Sequence, residues 1–140
     1  MFKLREKTKR IILYFFLLFL FILDRYLKKF FLFSGEAFYN RNLAFNLYLK
    51  EGIFYLLFFL VSFFLILGLI LSLKKKKNLF VFSFGLIITG AVSNFIDRIL
   101  YSAIIDYWRI PLAVFNLADL LISAGILLLL VLLLWKKEKF

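Results

Sequence analysis

Residues 53–73 read IFYLLFFLVSFFLILGLILSL, twenty-one consecutive positions without a charged side chain. At 1.5 Å per residue a helix of about 20 residues crosses the roughly 30 Å of hydrocarbon in a bilayer. Only helices and closed barrels span lipid, because every backbone polar group must be satisfied internally. The run is continuous and does not alternate, so the helix is expected. Working outward, three further runs of the same kind stand at about 11–27, 79–96 and 112–135. The composition agrees: 65% of the 140 residues are hydrophobic and the mean hydropathy is +0.99. A soluble chain of this length encloses too little volume to bury so much apolar side chain. The fold class expected is all-α membrane, a four-transmembrane-helix bundle with a small β-rich outer segment, and residues 1–140 are expected to form a single domain.

The net charge is +11, which in a soluble chain would suggest nucleic acid. Here Lys and Arg cluster between the apolar runs, at Lys3–Arg10, Lys74–Lys77 and Lys136–Lys139. Together these clusters hold twelve of the nineteen basic residues. Cytoplasmic loops of membrane proteins collect positive charge, so the three clusters are expected on the cytoplasmic side, with both termini there and no nucleic-acid partner. The first run has a basic start like a signal peptide. It lacks a small-residue cleavage site and ends in Asp24-Arg25-Tyr26-Leu27-Lys28-Lys29, so a retained helix is expected.

Segments 28–52 and 101–111 then face outward. From Phe38 to Leu49 the first alternates, with Leu43, Phe45, Leu47 and Leu49 on one side and Asn40, Asn42, Asn46 and Tyr48 on the other. Period two suggests a half-buried strand, and an irregular loop is the alternative.

The chain has no cysteine and no histidine. Disulfides are excluded, zinc lacks its usual ligands, and Ser–His or Cys–His catalysis is impossible. Hydrolytic chemistry would have to use carboxylates or a Ser–Lys pair; no metal or cofactor is expected. A Ser–Lys site is the poorer option, because Lys28 is the only well-placed lysine and no serine shares its predicted helix.

The four aspartates are Asp24, Asp97, Asp106 and Asp119, and none lies in a tail or in the cytoplasmic turn. Counting from the inner boundary at 1.5 Å per residue places Asp24 at roughly 21 Å, Asn94 at roughly 25 Å, Asp97 and Arg98 at about 30 Å, and Asp119 at roughly 24 Å. Ionisable groups are costly in a bilayer and usually face a bundle interior or a water-filled cavity. Three helices therefore bring their acids to one level near the outer face. Asp24 and Lys28 are four residues apart with the acid first, a favourable order for an ion pair. Asn94 and Asp97, and Asn116 and Asp119, are three apart, so each carboxylate has an amide beside it. Polar glue between helices would use the same residues.

Five motifs in order resemble those of the lipoprotein signal peptidases, the type II signal peptidases, which are bacterial membrane aspartic proteases. Asp24-Arg25-Tyr26-Leu27-Lys28 resembles D-x-x-x-K. Asn40-Arg41-Asn42-Leu43-Ala44-Phe45 resembles N-x-G-x-A-F. Gly90 to Arg98 resembles G-A-x-x-N-x-x-D-R, Ile104-Ile105-Asp106-Tyr107 resembles V-V-D-F, and Phe115-Asn116-Leu117-Ala118-Asp119 matches F-N-x-A-D. The resemblance covers essentially the whole chain. It departs at Asn42 and Ser93, where glycine is usual, and at Ile104 and Ile105, where valine is usual.

The resemblance implies that Asp106 and Asp119 are the catalytic pair, and that Asp24, Lys28, Asn40, Asn94, Asp97, Arg98 and Asn116 bind substrate or support the site. It implies as substrate a prolipoprotein cut just before a diacylglyceryl-cysteine. It also implies a multi-pass protein of the bacterial inner (cytoplasmic) membrane, surrounded by membrane lipids and with its active site toward the outer leaflet; a monomer is expected. Two nearby carboxylates do not both ionise readily, so one keeps a proton while the other activates water. The rival readings are a small proton-coupled transporter and a structural membrane protein.

Overall fold

The computed structural model describes residues 6–41, 51–111 and 113–137. Four helices account for most of them: α1 Glu6–Ser34, α2 Glu51–Lys74, α3 Asn78–Tyr101 and α4 Leu117–Lys137. Between them lie four short strands, β1 Phe38–Asn40, β2 Ile104–Asp106, β3 Trp108–Ile110 and β4 Ala113–Phe115.

Residues 55–74 of α2, 78–101 of α3 and 117–135 of α4 are long and apolar enough to cross a membrane. At 29 residues α1 has ample length, but Asp24, Arg25 and Lys28 interrupt its apolar stretch. It runs past the expected end at Leu27 because Asp24 and Lys28 turn into the bundle and are fully buried. The helix stops at Gly35, whose φ of +76° favours glycine. There the Glu36 N–H donates to the Phe31 carbonyl and the Gly35 N–H to the Leu32 carbonyl, which satisfies two end carbonyls.

α3 is the central helix. Its buried residues include Ser83, Leu86, Ile87, Gly90, Asn94 and Asp97, a stripe at helical spacing. Glycines let the neighbours close on it. A Cβ on Gly85 would meet Leu17 of α1, and one on Gly68 of α2 would meet Phe84 of α3. The tightest seam is α3 against α4: a Cβ on Gly90 would strike the Ala118 carbonyl oxygen, and one on Gly125 would strike Ile87 and the Ser83 carbonyl oxygen. Small residues at such crossings let helix backbones approach where lipid offers no hydrophobic drive to association. Ser72 and Ser83 return their hydroxyl protons to carbonyls one turn back, on Gly68 and Leu79, so neither is left unsatisfied.

The expected helix boundaries shift at two more places. α3 continues beyond Ile96 through Tyr101 and ends at Ser102, which adopts φ +50° and donates its N–H to the Arg98 carbonyl. The fourth helix begins at Leu117, not at 112. Residues 113–115 form β4, paired antiparallel with β3 through Trp108↔Phe115 and Ile110↔Ala113. An apolar run does not by itself separate strand from helix. The β-rich part is thus two small antiparallel pairs. In the other pair β1 meets β2, with Phe38 opposite Asp106 and Asn40 opposite Ile104. Only Phe38–Asn40 of the predicted alternating strand is seen as strand; Asn42 and the rest to Leu49 lie outside the described residues.

Candidate active site

The site grows from the start of α4. A helix leaves its first four N–H groups without intrahelical partners. Asn116 caps this one, its side-chain oxygen accepting from the Asp119 N–H at 2.9 Å. The Asp119 carboxylate reaches back to the Asn116 N–H at 3.1 Å, which completes a reciprocal capping box. The Tyr107 hydroxyl accepts from the Leu117 N–H at 3.0 Å, Asp24 accepts from the Ala118 N–H at 2.9 Å, and the Asn116 carbonyl accepts from the Leu120 N–H. The Asn-x-Ala-Asp stretch therefore starts the helix and, in the same bonds, fixes the Asp119 carboxylate.

The Asn116 side chain also faces β2. Its amide donates to Asp106 Oδ1 at 2.7 Å and to the Ile105 carbonyl at 3.2 Å. One asparagine thus bonds both aspartates, Asp106 through its side chain and Asp119 through its backbone N–H. The second oxygen of Asp106 accepts from the Asn40 amide at 2.9 Å. Asn40 sits two places along the ladder from the residue opposite Asp106, on the same face of the β1–β2 pair. The other oxygen of Asp119 accepts from the Asn94 amide at 2.8 Å. Gly90, one turn before Asn94, permits the close α3–α4 crossing that brings those two residues together.

Behind the pair lies a buried ionic cluster. Lys28 Nζ is 2.7 Å from Asn94 Oδ1, 2.7 Å from Asp97 Oδ2 and 3.3 Å from Asp24 Oδ2. Arg25 Nη1 meets Asp97 Oδ1 at 2.5 Å and donates to the Ser93 carbonyl at 3.1 Å. Asp97 Oδ2 also accepts from the Ile105 N–H at 3.2 Å, so α3 steers the strand that carries Asp106. Asp24 receives the Ser93 hydroxyl at 2.5 Å and the Tyr107 hydroxyl at 3.5 Å. Phe31 stacks flat on Tyr107, with centroids 4.7 Å apart.

Asp24, Lys28, Asn40, Asn94, Asp97, Asp106, Asn116 and Asp119, all predicted from sequence, join this continuous network. Arg98 lies at its rim and donates to the Arg41 carbonyl at 2.7 Å. The guanidinium on Asp97 belongs to Arg25, which the sequence reading passed over as an unspecified motif position. Ser93 and Tyr107 were missed as well. A buried acid next to a conspicuous basic residue is a usable signal for Arg25. The Tyr107 hydroxyl gave none, because an aromatic beside an apolar pair reads as packing. Lys28 is held by carboxylates and an amide. Contrary to expectation, a serine does share its helix, but Ser34 donates to the Phe31 carbonyl, and the nearby Ser93 serves Asp24.

Asp106 is only 1% exposed, and Asp119 is half-buried. Burial pushes the Asp106 carboxyl up to about 6; the Asn40 amide opposes the rise, the Asp119 charge adds to it, and Asn116 and Lys28 oppose it further. Burial likewise raises the Tyr107 phenol, which stays protonated at neutral pH and can keep donating to Asp24. An ionised carboxylate beside one that holds its proton into the neutral range can pass a proton in and out of a reaction.

Residues 7–135 match the family model described as signal peptidase (SPase) II. A lipoprotein signal peptidase of Caldicellulosiruptor bescii is 42% identical over 92 residues, covering 64% of this chain and 59% of that protein. One from Helicobacter pylori strain P12 is 34% identical over 110 residues, covering 72% of this chain and 67% of that protein. The chain thus spans about six tenths to two thirds of the length of these relatives. A bacterial membrane enzyme solved by the in meso method at 2.3 Å superposes with a TM-score of 0.75 over 91% of this chain and 90% of that one; at 20% identity the likeness is one of fold.

Proposed function

The chain belongs to the signal peptidase II family, a family of proteases, and from that premise we propose that it is an aspartic endopeptidase that removes signal peptides from prolipoproteins. It cuts before a diacylglyceryl-modified cysteine, and Asp106 and Asp119 are the catalytic pair. The observation that carries the assignment is Asn116, bonded to both carboxylates at the buried start of α4.

The chemistry follows from the pair. A water held between the aspartates attacks the scissile carbonyl and gives its proton to the ionised carboxylate. The protonated partner donates to the carbonyl oxygen. As the tetrahedral intermediate collapses, a proton passes to the leaving amine and the pair is left again with one proton. The two acids titrate as a unit, so the shared proton belongs to the pair. The asparagine amides orient the carboxylates, and Asp24, Lys28 and Asp97 hold α1, α3 and β2 around them.

We further propose that α1 is a fourth span, that residues 1–140 form one integral-membrane protease domain, and that the protein works as a monomer among membrane lipids without nucleic acid. The burial of Asp24 and Lys28 supports the span, because Phe15, Phe19, Ile22 and Phe30 are then left to face lipid. Both termini lie in the cytoplasm and the site faces the outer leaflet. The clustering of twelve basic residues in the two tails and the Lys74–Lys77 turn supports that orientation.

The test is cleavage of a diacylglyceryl-modified precursor by purified protein. Wild type is expected to cut, and Asp106→Asn and Asp119→Asn are each expected to insert in membranes and fail to cut. Normal cleavage by either variant would sink the dyad assignment.

A further inference from the structure

The proposed site uses Lys28 as its buried cation, yet Arg25 reaches the same cluster from the next turn of α1. Its guanidinium is three-quarters buried and contacts the fully buried Asp97. The same nitrogen donates to the Ser93 carbonyl and lies 3.4 Å from the Ser93 hydroxyl. Ser93, a departure from the usual glycine, in turn donates to Asp24. Arg25 and Ser93 therefore tie the two acids of the cluster together.

Charge counting gives this contact a function. Asp24 and Asp97 bring two negative charges, both wholly buried. Lys28 cancels one and Arg25 cancels the other. Without Arg25 the cluster would be left one charge negative, directly behind two aspartates that must themselves carry a charge. Asp97 is also the link to the strand: its Oδ1 is held by Arg25, while its Oδ2 holds Lys28 and the Ile105 N–H, one residue before Asp106.

We infer that Arg25 is a positioning residue for the proposed protease reaction, neutralising the Asp24–Lys28–Asp97 cluster so that the Asp106–Asp119 pair can carry its single negative charge. The inference rests on the catalytic reading given above. Among the described residues, the groups that face the pair are Asp24 and Lys28 from α1, Asn40 from β1, Asn94, Asp97 and Arg98 from α3, Tyr107 after β2 and Asn116 before α4. Lys28 and Arg98 are the cations in that set, and both remain when Arg25 is removed.

Losing a positive charge nearby disfavours ionisation of the pair, so more alkaline conditions are needed to ionise it. The acid limb of the rate profile therefore moves up. At an effective dielectric of about 20, a unit charge acting over roughly 10 Å is worth about one pH unit, which sets the scale of the displacement.

The experiment records kcat against pH for purified wild type, Arg25→Gln and Arg25→Lys, on a diacylglyceryl-modified precursor in detergent. Arg25→Gln is expected to move the acid limb up by about one unit and so to lower kcat by up to about tenfold at pH values on that limb. Arg25→Lys keeps the charge without the forked geometry, so its limb should stay within about 0.3 units of wild type, well below the roughly one unit expected for full charge loss. Superimposable limbs for Arg25→Gln and wild type would overturn the inference and leave the protease reading intact. If Arg25→Gln is not recovered folded, the equally uncharged Arg25→Met decides: a limb displaced up by about one unit supports the inference, and an unmoved limb refutes it. A wild-type protein that does not cut at any pH overturns the protease reading and this inference with it.

Discussion

α2 and the polar end of the bundle are opposite solutions to life in lipid. Among the described side chains of α2 only Ser72 is buried, and the helix touches its neighbour through apolar contacts such as Phe58 stacked on Phe95 at 4.0 Å. At the polar end Asp24, Lys28, Asn94, Asp97, Asp106 and Asn116 are all buried, in one network supplied by α1, α3, β2 and the start of α4. One region is specified by hydrophobicity and tolerates variation. The other consists of groups that are costly unless every partner is present. Its cost makes sense as the support of a chemical site.

The largest expected effect breaks the comparison most sharply. On the proposed mechanism, in which each acid takes part in proton transfer, Asp106→Asn or Asp119→Asn should lower the cleavage rate by about a thousandfold or more. Leu60→Ala in α2, at a half-exposed position, should leave the rate within about twofold, in line with other substitutions that bury nothing. Kinetics on the same lipidated precursor compares them. A thousandfold loss at Leu60 would mean that α2 belongs to the site.

Asn116→Ala comes next. It removes the helix cap and the bond to Asp106 at once, so a rate loss of about a hundredfold is expected, with a stability loss of about 1 kcal/mol from the cap. Asn116→Asp keeps a capping oxygen and loses the amide proton. It should restore the thermal midpoint but not the rate.

Glycines sharpen the comparison further. Gly90→Ala would drive a Cβ into the Ala118 carbonyl oxygen and part Asn94 from Asp119. A roughly tenfold fall in rate is expected, since small misplacements of reacting groups are costly. Gly52→Ala in α2 meets nothing within 4 Å and should leave the rate unchanged, with a thermal midpoint equal to or slightly above wild type.

The last effect is thermodynamic. The Asp106 carboxyl titrates near 6 when folded, above its usual value of 3.8. Between those values the folded protein holds more protons than the unfolded one, so this group's contribution to stability falls as pH rises through the window. Relative to wild type, Asp106→Asn should therefore gain about 2 to 3 kcal/mol of stability between pH 4 and pH 7. Thermal melts in detergent at the two pH values measure the difference.

The same division governs how much the sequence reveals. The apolar runs of α2, α3 and α4 announce themselves, and counting residues along the first, third and fourth runs put Asp24, Asn94, Asp97 and Asp119 near one level; their side chains meet in one cluster. The ends of the helices were less legible. The start of the expected span at 112 is apolar enough to pass for helix, and only pairing with Trp108–Ile110 makes Ala113–Phe115 a strand. Asp106 carries no depth of its own, since it lies beyond the third helix; the family resemblance alone singled it out. Arg25, Ser93 and Tyr107 were missed because their roles depend on contacts 68 to 83 residues away in the chain, which no local pattern records.

The central claim is that these buried aspartates cut a lipid-bearing precursor. The most direct measurement incubates the purified protein with one precursor peptide in two forms, with and without the diacylglyceryl group on its cysteine, and identifies the products by mass. The account predicts a single cut immediately before the cysteine in the lipidated form and at least about a hundredfold slower cleavage of the other, because a bound lipid chain contributes several kilocalories per mole. Equal cleavage of the two forms, or a cut elsewhere in the peptide, would contradict it.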